Sequence, residues 1–161
     1  MKSHDLWSFL ATCLGIGNIP IAPGTFGSLF ALLIYIVLPQ RFMGLGAMPL
    51  NLLALAMLCL VAVFICTKAE QKLGKDAPAI VLDEVCGYFV AVILFPKTWM
   101  VGLLAFVFFR IFDIAKPYPI GRSQKLPAGW GVVVDDLLAG AAAALLIGIL
   151  YLYYPQVLYL I

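Results

Sequence analysis

The chain has 161 residues, of which 65% are hydrophobic and 11% charged, and its mean hydropathy is +1.09. An ordinary soluble domain is roughly 25% charged, so too few polar side chains remain here to coat a soluble surface, and a polytopic membrane protein is expected. The net charge of +2, with no basic tract, excludes a protein that tracks a nucleic-acid backbone.

The N-terminus, MKSHDLWSF, lacks the charged n-region, apolar core and small-residue cleavage site of a signal peptide. Insertion is expected to be guided by internal spans. Residues 6–17 are mildly amphipathic through Leu6, Trp7, Phe9, Leu10 and Leu14, which suits a short helix in the membrane interface. Residues 15–28, GIGNIPIAPGTFGS, read as a loop by their Gly and Pro content, with Thr25 and Ser28 where a helix begins. The apolar run 26–38 is closed by Pro39 and is short against the ~20 residues of a usual span. The run 47–67 is the clearest span, with Pro49 in its first turn, where proline is tolerated. A polar loop, 68–76, carries Lys68, Glu70, Lys72, Lys75 and Asp76.

A third run, 79–95, holds Asp83 and Glu84 in its first turn. A fourth, 98–114, ends in FRIFDIAKPYPI, which spaces Arg110, Asp113 and Lys116 three residues apart before Pro117 and Pro119. Residues 121–131 read as a loop. The fifth run, 137–154, follows Asp135 and Asp136 and carries Gly140, Ala144 and Gly148 at four-residue spacing, a small-residue face that lets helices approach. Tyr151, Tyr153 and Tyr154 suit an interfacial belt. The expected architecture is an all-α membrane bundle over residues 1–161, with about five embedded helices and a short N-terminal interfacial helix. Cys13, Cys59, Cys66 and Cys86 form no C-x-x-C pair, so reduced thiols are expected. The single histidine, His4, has no assigned role.

Threading five spans through a bilayer puts Lys2, Lys68, Lys72, Lys75, Arg110, Lys116, Arg122 and Lys125 on one side and leaves Arg41 and Lys97 on the other. The Lys/Arg-rich side is expected to be cytoplasmic. All the acidic residues and the 15–28 loop fall there too.

One carboxylate suffices to cap a helix. Acid pairs at two helix starts, with Asp113, are more negative charge than caps require, and clustered like charges call for a cation. Carboxylate oxygens without Cys or His suit Mg²⁺ or a similar hard ion. Arg110 and Lys116 are candidate phosphate binders, one forked and one a point charge. The 15–28 loop is a candidate anion cradle, with Thr25 and Ser28 hydroxyls at a helix start. It is not a P-loop, because G-x-x-x-x-G-K-[ST] is absent. Cysteine-phosphatase and D-x-D-x-[TV] motifs are absent as well. Phosphoryl chemistry on a lipid by metal-assisted attack of water remains. A transporter with charges at its cytoplasmic face is the alternative from another class, and a scaffold whose charges only cap helices is the third.

Four stretches, IAPGTFGSL, KDAPAIVLDEVCG, FRIFDIAKPYPI and GVVVDDLLAG, resemble the phosphatidylglycerophosphatase A family, in the family's order. The resemblance implies a Mg²⁺-dependent enzyme of the bacterial inner membrane. It would remove the terminal phosphate of phosphatidylglycerophosphate to leave phosphatidylglycerol. It implies active-site positions at Asp83, Glu84, Arg110, Asp113, Lys116, Asp135 and Asp136, supported by Gly24, Thr25 and Ser28; Asp76 falls in a matching place without an assigned role. On this reading Asp83, Glu84, Asp135 and Asp136 hold one or more ions, Arg110 and Lys116 bind phosphate, and Asp113 orients Arg110 or completes the metal shell. The partners implied are the phospholipid substrate and membrane lipids, with no nucleic acid and no assigned oligomeric state.

Overall fold

The computed structural model of the chain describes residues 5–44 and 48–158; the expectations for Lys2, His4 and Ala47 lie outside them. Among the described residues there is no strand. The helices are α1 (Leu6–Ala11), α2 (Pro23–Val37), α3 (Met48–Leu73), α4 (Leu82–Val92), α5 (Trp99–Ala115), α6 (Ile120–Ser123), α7 (Gly129–Tyr153) and α8 (Pro155–Leu158), with 3₁₀ turns at Ile16–Asn18 and Gln40–Phe42. Among the described residues, two helices, α3 and α7, are long and apolar enough to cross a membrane. The other expected spans form helices of 15, 11 and 17 residues (α2, α4 and α5). At 1.5 Å per residue, α4 reaches only about 17 Å, against the ~30 Å of a hydrocarbon core.

Shortness suits the place of α4. It packs against α2, α3, α5 and α7, and both its acids and most of its apolar side chains are buried. A helix apolar on all sides belongs inside a bundle. Outside it, large side chains such as Leu33, Ile36, Leu53, Leu145 and Leu152 are exposed.

Glycines set how closely α4 and α7 approach. A methyl on Gly140 would strike the Gly87 carbonyl, and one on Gly87 would lie 2.6 Å from the Asp136 carbonyl. The small-residue face of α7 thus finds its partner on α4. At the end away from the acids, Lys97 Nζ donates to the carbonyls of Ile36 and Leu38 at 2.7 and 2.6 Å, a cation on the negative end of α2. Buried Tyr35 ties the same end to α5. Its hydroxyl donates to the Thr98 carbonyl at 2.9 Å and accepts from the Thr98 amide at 3.0 Å.

Several boundaries differ from the sequence reading. α2 begins at Pro23, inside the stretch 15–28 expected as a loop, and α3 runs on to Leu73, through most of the expected polar loop 68–76. The N-terminal helix stops at Ala11, because Cys13 and Leu14 take left-handed backbone (φ 46° and 63°) and turn the chain back. Gly17 then lies so close to the Ala79 carbonyl that no side chain would fit. Within 121–131, residues 121–123 extend α6 and α7 begins at Gly129, whose amide donates to Thr67 Oγ1 of α3 at 3.1 Å. Asp135 and Asp136 therefore sit nearly two turns inside α7 rather than at its start.

Candidate active site

Four segments bring the singled-out side chains to one end of the bundle. The start of α2 supplies Gly24, the start of α4 supplies Asp83 and Glu84, the last turns of α5 supply Arg110 and Asp113, and α7 supplies Asp135 and Asp136. Lys116 follows α5 as its cap residue in left-handed backbone (φ 41°), which swings its side chain back over the helix end. Together with Asp76, Ala22, Ile80 and Ile114 they line one cavity of about 340 Å³, within the size range of small-molecule sites.

The cations are held by acids. Arg110 Nη1 lies 2.7 Å from Asp113 Oδ2, and Lys116 Nζ lies 3.7 Å from Asp113 Oδ1 and 2.5 Å from Asp135 Oδ2. Asp113 thus spaces the two cations with its two oxygens. Burial alone would lower the pKa of Lys116, but the Asp135 hydrogen bond and the charges of Asp135, Asp113 and Asp136 outweigh it and hold it above lysine's ordinary value. The ammonium stays charged at any neutral pH.

On α2, Ser28 is fully buried behind Arg110. Its hydroxyl donates to the Gly24 carbonyl at 2.9 Å and receives Arg110 Nη1 at 3.5 Å. Thr25 is half-buried, its amide donates to the Ala22 carbonyl at 3.0 Å, and it is not part of the cavity lining. Gly24 faces the acids directly. A methyl there would collide with Glu84 Oε1 and press on both terminal nitrogens of Arg110, 3.2 and 3.3 Å away.

The carboxylates are in excess. Among the described residues of the lining, Asp76, Asp83, Glu84, Asp113, Asp135 and Asp136 face two cations, Arg110 and Lys116. Among the described residues, Asp83 Oδ1, Glu84 Oε2, Asp135 Oδ1 and Asp136 Oδ2 are buried without a hydrogen-bond partner. Buried charges need pairing or a cation. Oxygens of Asp83, Glu84 and Asp136 lie within 4.8 Å of one another, and so do those of Asp113, Asp135 and Asp136. The four acids expected to hold one or more ions, joined by Asp113, thus fall into two overlapping trios that share Asp136. The donor set is all oxygen, which fits a hard divalent cation.

Asp76, which has no role assigned from the sequence, lies in the lining, where its Oδ2 accepts from Gln124 Nε2 at 3.4 Å. Gly87, with no role assigned from the sequence, has no side chain and so lets Asp136 come beside Asp83 and Glu84. Only the surplus glycine in an otherwise bulky apolar run could have marked it.

A model of the phosphatidylglycerophosphatase A family matches residues 9–151. The chain belongs to the phosphatidylglycerophosphatase A family. It is 36% identical over 141 residues to the phosphatidylglycerophosphatase A of Haemophilus influenzae, covering 86% of this chain and 84% of that one. It is 32% identical over 156 residues to the Escherichia coli phosphatidylglycerophosphatase A, covering 94% and 85%. A protein of Bacteroides thetaiotaomicron named "Putative phosphatidylinositol-3-phosphatase" is 34% identical over 145 residues, covering 87% and 90%. No solved structure matches. The matched residues contain every side chain of the cavity described above, so the phosphatidylglycerophosphatase A match and the carboxylate-lined pocket fall on the same part of the chain.

Proposed function

We propose that this chain is a membrane-embedded lipid phosphatase that hydrolyses phosphatidylglycerophosphate to phosphatidylglycerol and inorganic phosphate. The observation that carries the reading is a single cavity holding unpartnered buried carboxylate oxygens beside Arg110 and Lys116. Membership of the phosphatidylglycerophosphatase A family supports the substrate.

The residues divide by task. Asp83, Glu84 and Asp136, and Asp113, Asp135 and Asp136, are the groups that would hold Mg²⁺. When bound, such an ion neutralises the carboxylates and polarises phosphoryl oxygens as a Lewis acid. Arg110 and Lys116, spaced by Asp113, bind the terminal phosphate and stabilise charge that builds on its oxygens. Lys116 works as a fixed charge, because a lysine whose pKa is held up is a poor proton donor. Gly24 gives the phosphate room between α2 and the acids, and Ser28 holds Arg110 from behind. The oxygen of an attacking water bonds to phosphorus as the phosphorus–oxygen ester bond breaks. A carboxylate of the cavity takes the water's proton and returns it to the freed lipid oxygen, so the step is proton-neutral.

In this reading the chain is one domain, and its five main helices form a bundle in the bacterial inner membrane with the short ones tilted or half-embedded. The active site faces the cytoplasm, on the side that carries most of the Lys and Arg. The test is phosphate release from phosphatidylglycerophosphate in detergent, with Mg²⁺ and then with EDTA, and with phosphatidylinositol 3-phosphate in parallel. Release should require the ion and favour the first lipid. Unchanged release in the variant with both Asp135→Asn and Asp136→Asn would overturn the metal assignment.

A further inference from the structure

We infer that the lipid substrate reaches the cavity sideways from the bilayer, with an acyl chain laid along the seam between α2 and α5. This rests on the lipid-phosphatase reading above. The two helices run antiparallel along that seam. Ser28 meets Arg110 at the cavity end, and at the far end Gly102 packs so tightly on Tyr35 and Leu32 that a methyl there would collide.

Beside the seam each helix leaves an apolar stripe uncovered. On α5 it runs through Leu103, Val107 and Ile114, and on α2 through Leu29, Leu33 and Ile36, all exposed. Spacings of three, four and seven residues put each set on one helix face. The α5 stripe begins in the cavity itself, because Ile114 both lines it and is 70% exposed. From Ile114 to Leu103 the stripe is about 17 Å long at 1.5 Å per residue. One leaflet of a ~30 Å hydrocarbon core is about 15 Å deep. A chain that starts with its phosphate at Arg110 therefore runs the depth of one leaflet along this seam.

The molecule has another apolar cavity, of about 410 Å³, between α2, α3 and α4 and lined by residues such as Phe30, Leu55, Val85 and Phe89. It is screened from the carboxylates. Gly27 packs on Val81, Gly17 packs on the Ala79 carbonyl, and the Val81 amide donates to the Ala11 carbonyl at 2.9 Å. A chain bound there would have to pass through these contacts, so the seam is the open path.

The direct test is photolabelling of the intact protein in phosphatidylcholine vesicles. The probe is a phosphonate analogue of phosphatidylglycerophosphate with a diazirine in one acyl chain. Label should concentrate on residues 26–37 and 103–114 and be displaced by excess unlabelled phosphatidylglycerophosphate. Label on α3 at the 410 Å³ cavity, or spread evenly to Leu145 and Leu152 of α7, would overturn the inference.

A second measurement compares the double substitution Leu103→Gln with Val107→Gln against a control pair, Leu145→Gln with Leu152→Gln. The seam pair should lose about tenfold or more in kcat/KM on long-chain substrate, because remote binding is spent at the reacting centre, while keeping its rate on a dihexanoyl substrate. Equal loss on both substrates, or seam and control pairs that behave alike, counts against it. If the wild type releases no phosphate but labels along the seam, the phosphatase reading falls and the lipid path stands.

Discussion

Arg110 is gripped by Asp113 at 2.7 Å and backed by Ser28 at 3.5 Å, so its plane is set before a phosphate arrives. Replacing it with lysine keeps the charge and removes the fork. Arg110→Lys is expected to lower kcat/KM on phosphatidylglycerophosphate by tenfold to hundredfold, from the loss of about 1.5–3 kcal/mol of charged hydrogen bonding. Ser28→Ala should cost less, because it loosens the support and not the contact; equal losses would place Ser28 on the substrate. Gly24→Ala tests the room between α2 and the acids. Its activity should collapse while its circular dichroism stays native, since the added methyl meets Glu84 and Arg110 and no core side chain. Lys116 sets a pH expectation. A cation whose folded pKa is raised adds stability at all pH values below its unfolded pKa, and the gain fades only as pH climbs through the raised value. The Tm difference between wild type and Lys116→Met should therefore be flat between about pH 6 and 9; a difference that shrinks in that window would contradict the geometry.

At the scale of elements, the meeting of α4 with α7 decides whether the acids form one site. Gly87 and Gly140 bring the two backbones together directly below Asp83, Glu84 and Asp136. Gly140→Leu should force the helices apart at a cost of about 1–3 kcal/mol, and activity should fall with it. Gly148→Ala on the same stripe is the control, because its nearest neighbour would be Phe95 Cζ at 3.8 Å, an ordinary contact. Differential scanning fluorimetry in detergent compares the two, and equal melting shifts would remove the special role given to Gly140. The small-residue spacing of α7 was legible in the sequence. Which member touches a partner was not, because that depends on where α4 lies.

For the molecule as a whole, polarity separates along one axis. The carboxylates, Arg110 and Lys116 gather at one end, and Lys97 and Gln40 border a separate cavity with Tyr151 at the other. If the bundle is embedded as proposed, its two ends face different compartments. In a background lacking the native cysteines, Lys125→Cys should react with a membrane-impermeant thiol reagent only from the cytoplasmic side of inner-membrane vesicles, and Arg41→Cys only from the other. Labelling of both from one side would overturn the five-helix threading, while the two long helices α3 and α7 would still stand.

Composition and local spacing by themselves determined the helical character, the two long apolar helices α3 and α7 and the residues that carry charge to one end, and resemblance marked the four motifs. Hydropathy, helix periodicity and proline stops act over a few neighbouring residues, so they can be read along the chain. Tertiary structure alone decided the rest. Asp135 and Asp136 are expected at a helix start, and they are interior residues of α7 because its start is pinned to Thr67 of α3. The acids divided into two trios sharing Asp136 because α4 and α7 touch through glycine, and Ser28 came to stand behind Arg110 because α2 packs on α5. Each of these depends on contacts between residues far apart in the chain, and local propensity contains no information about such distances.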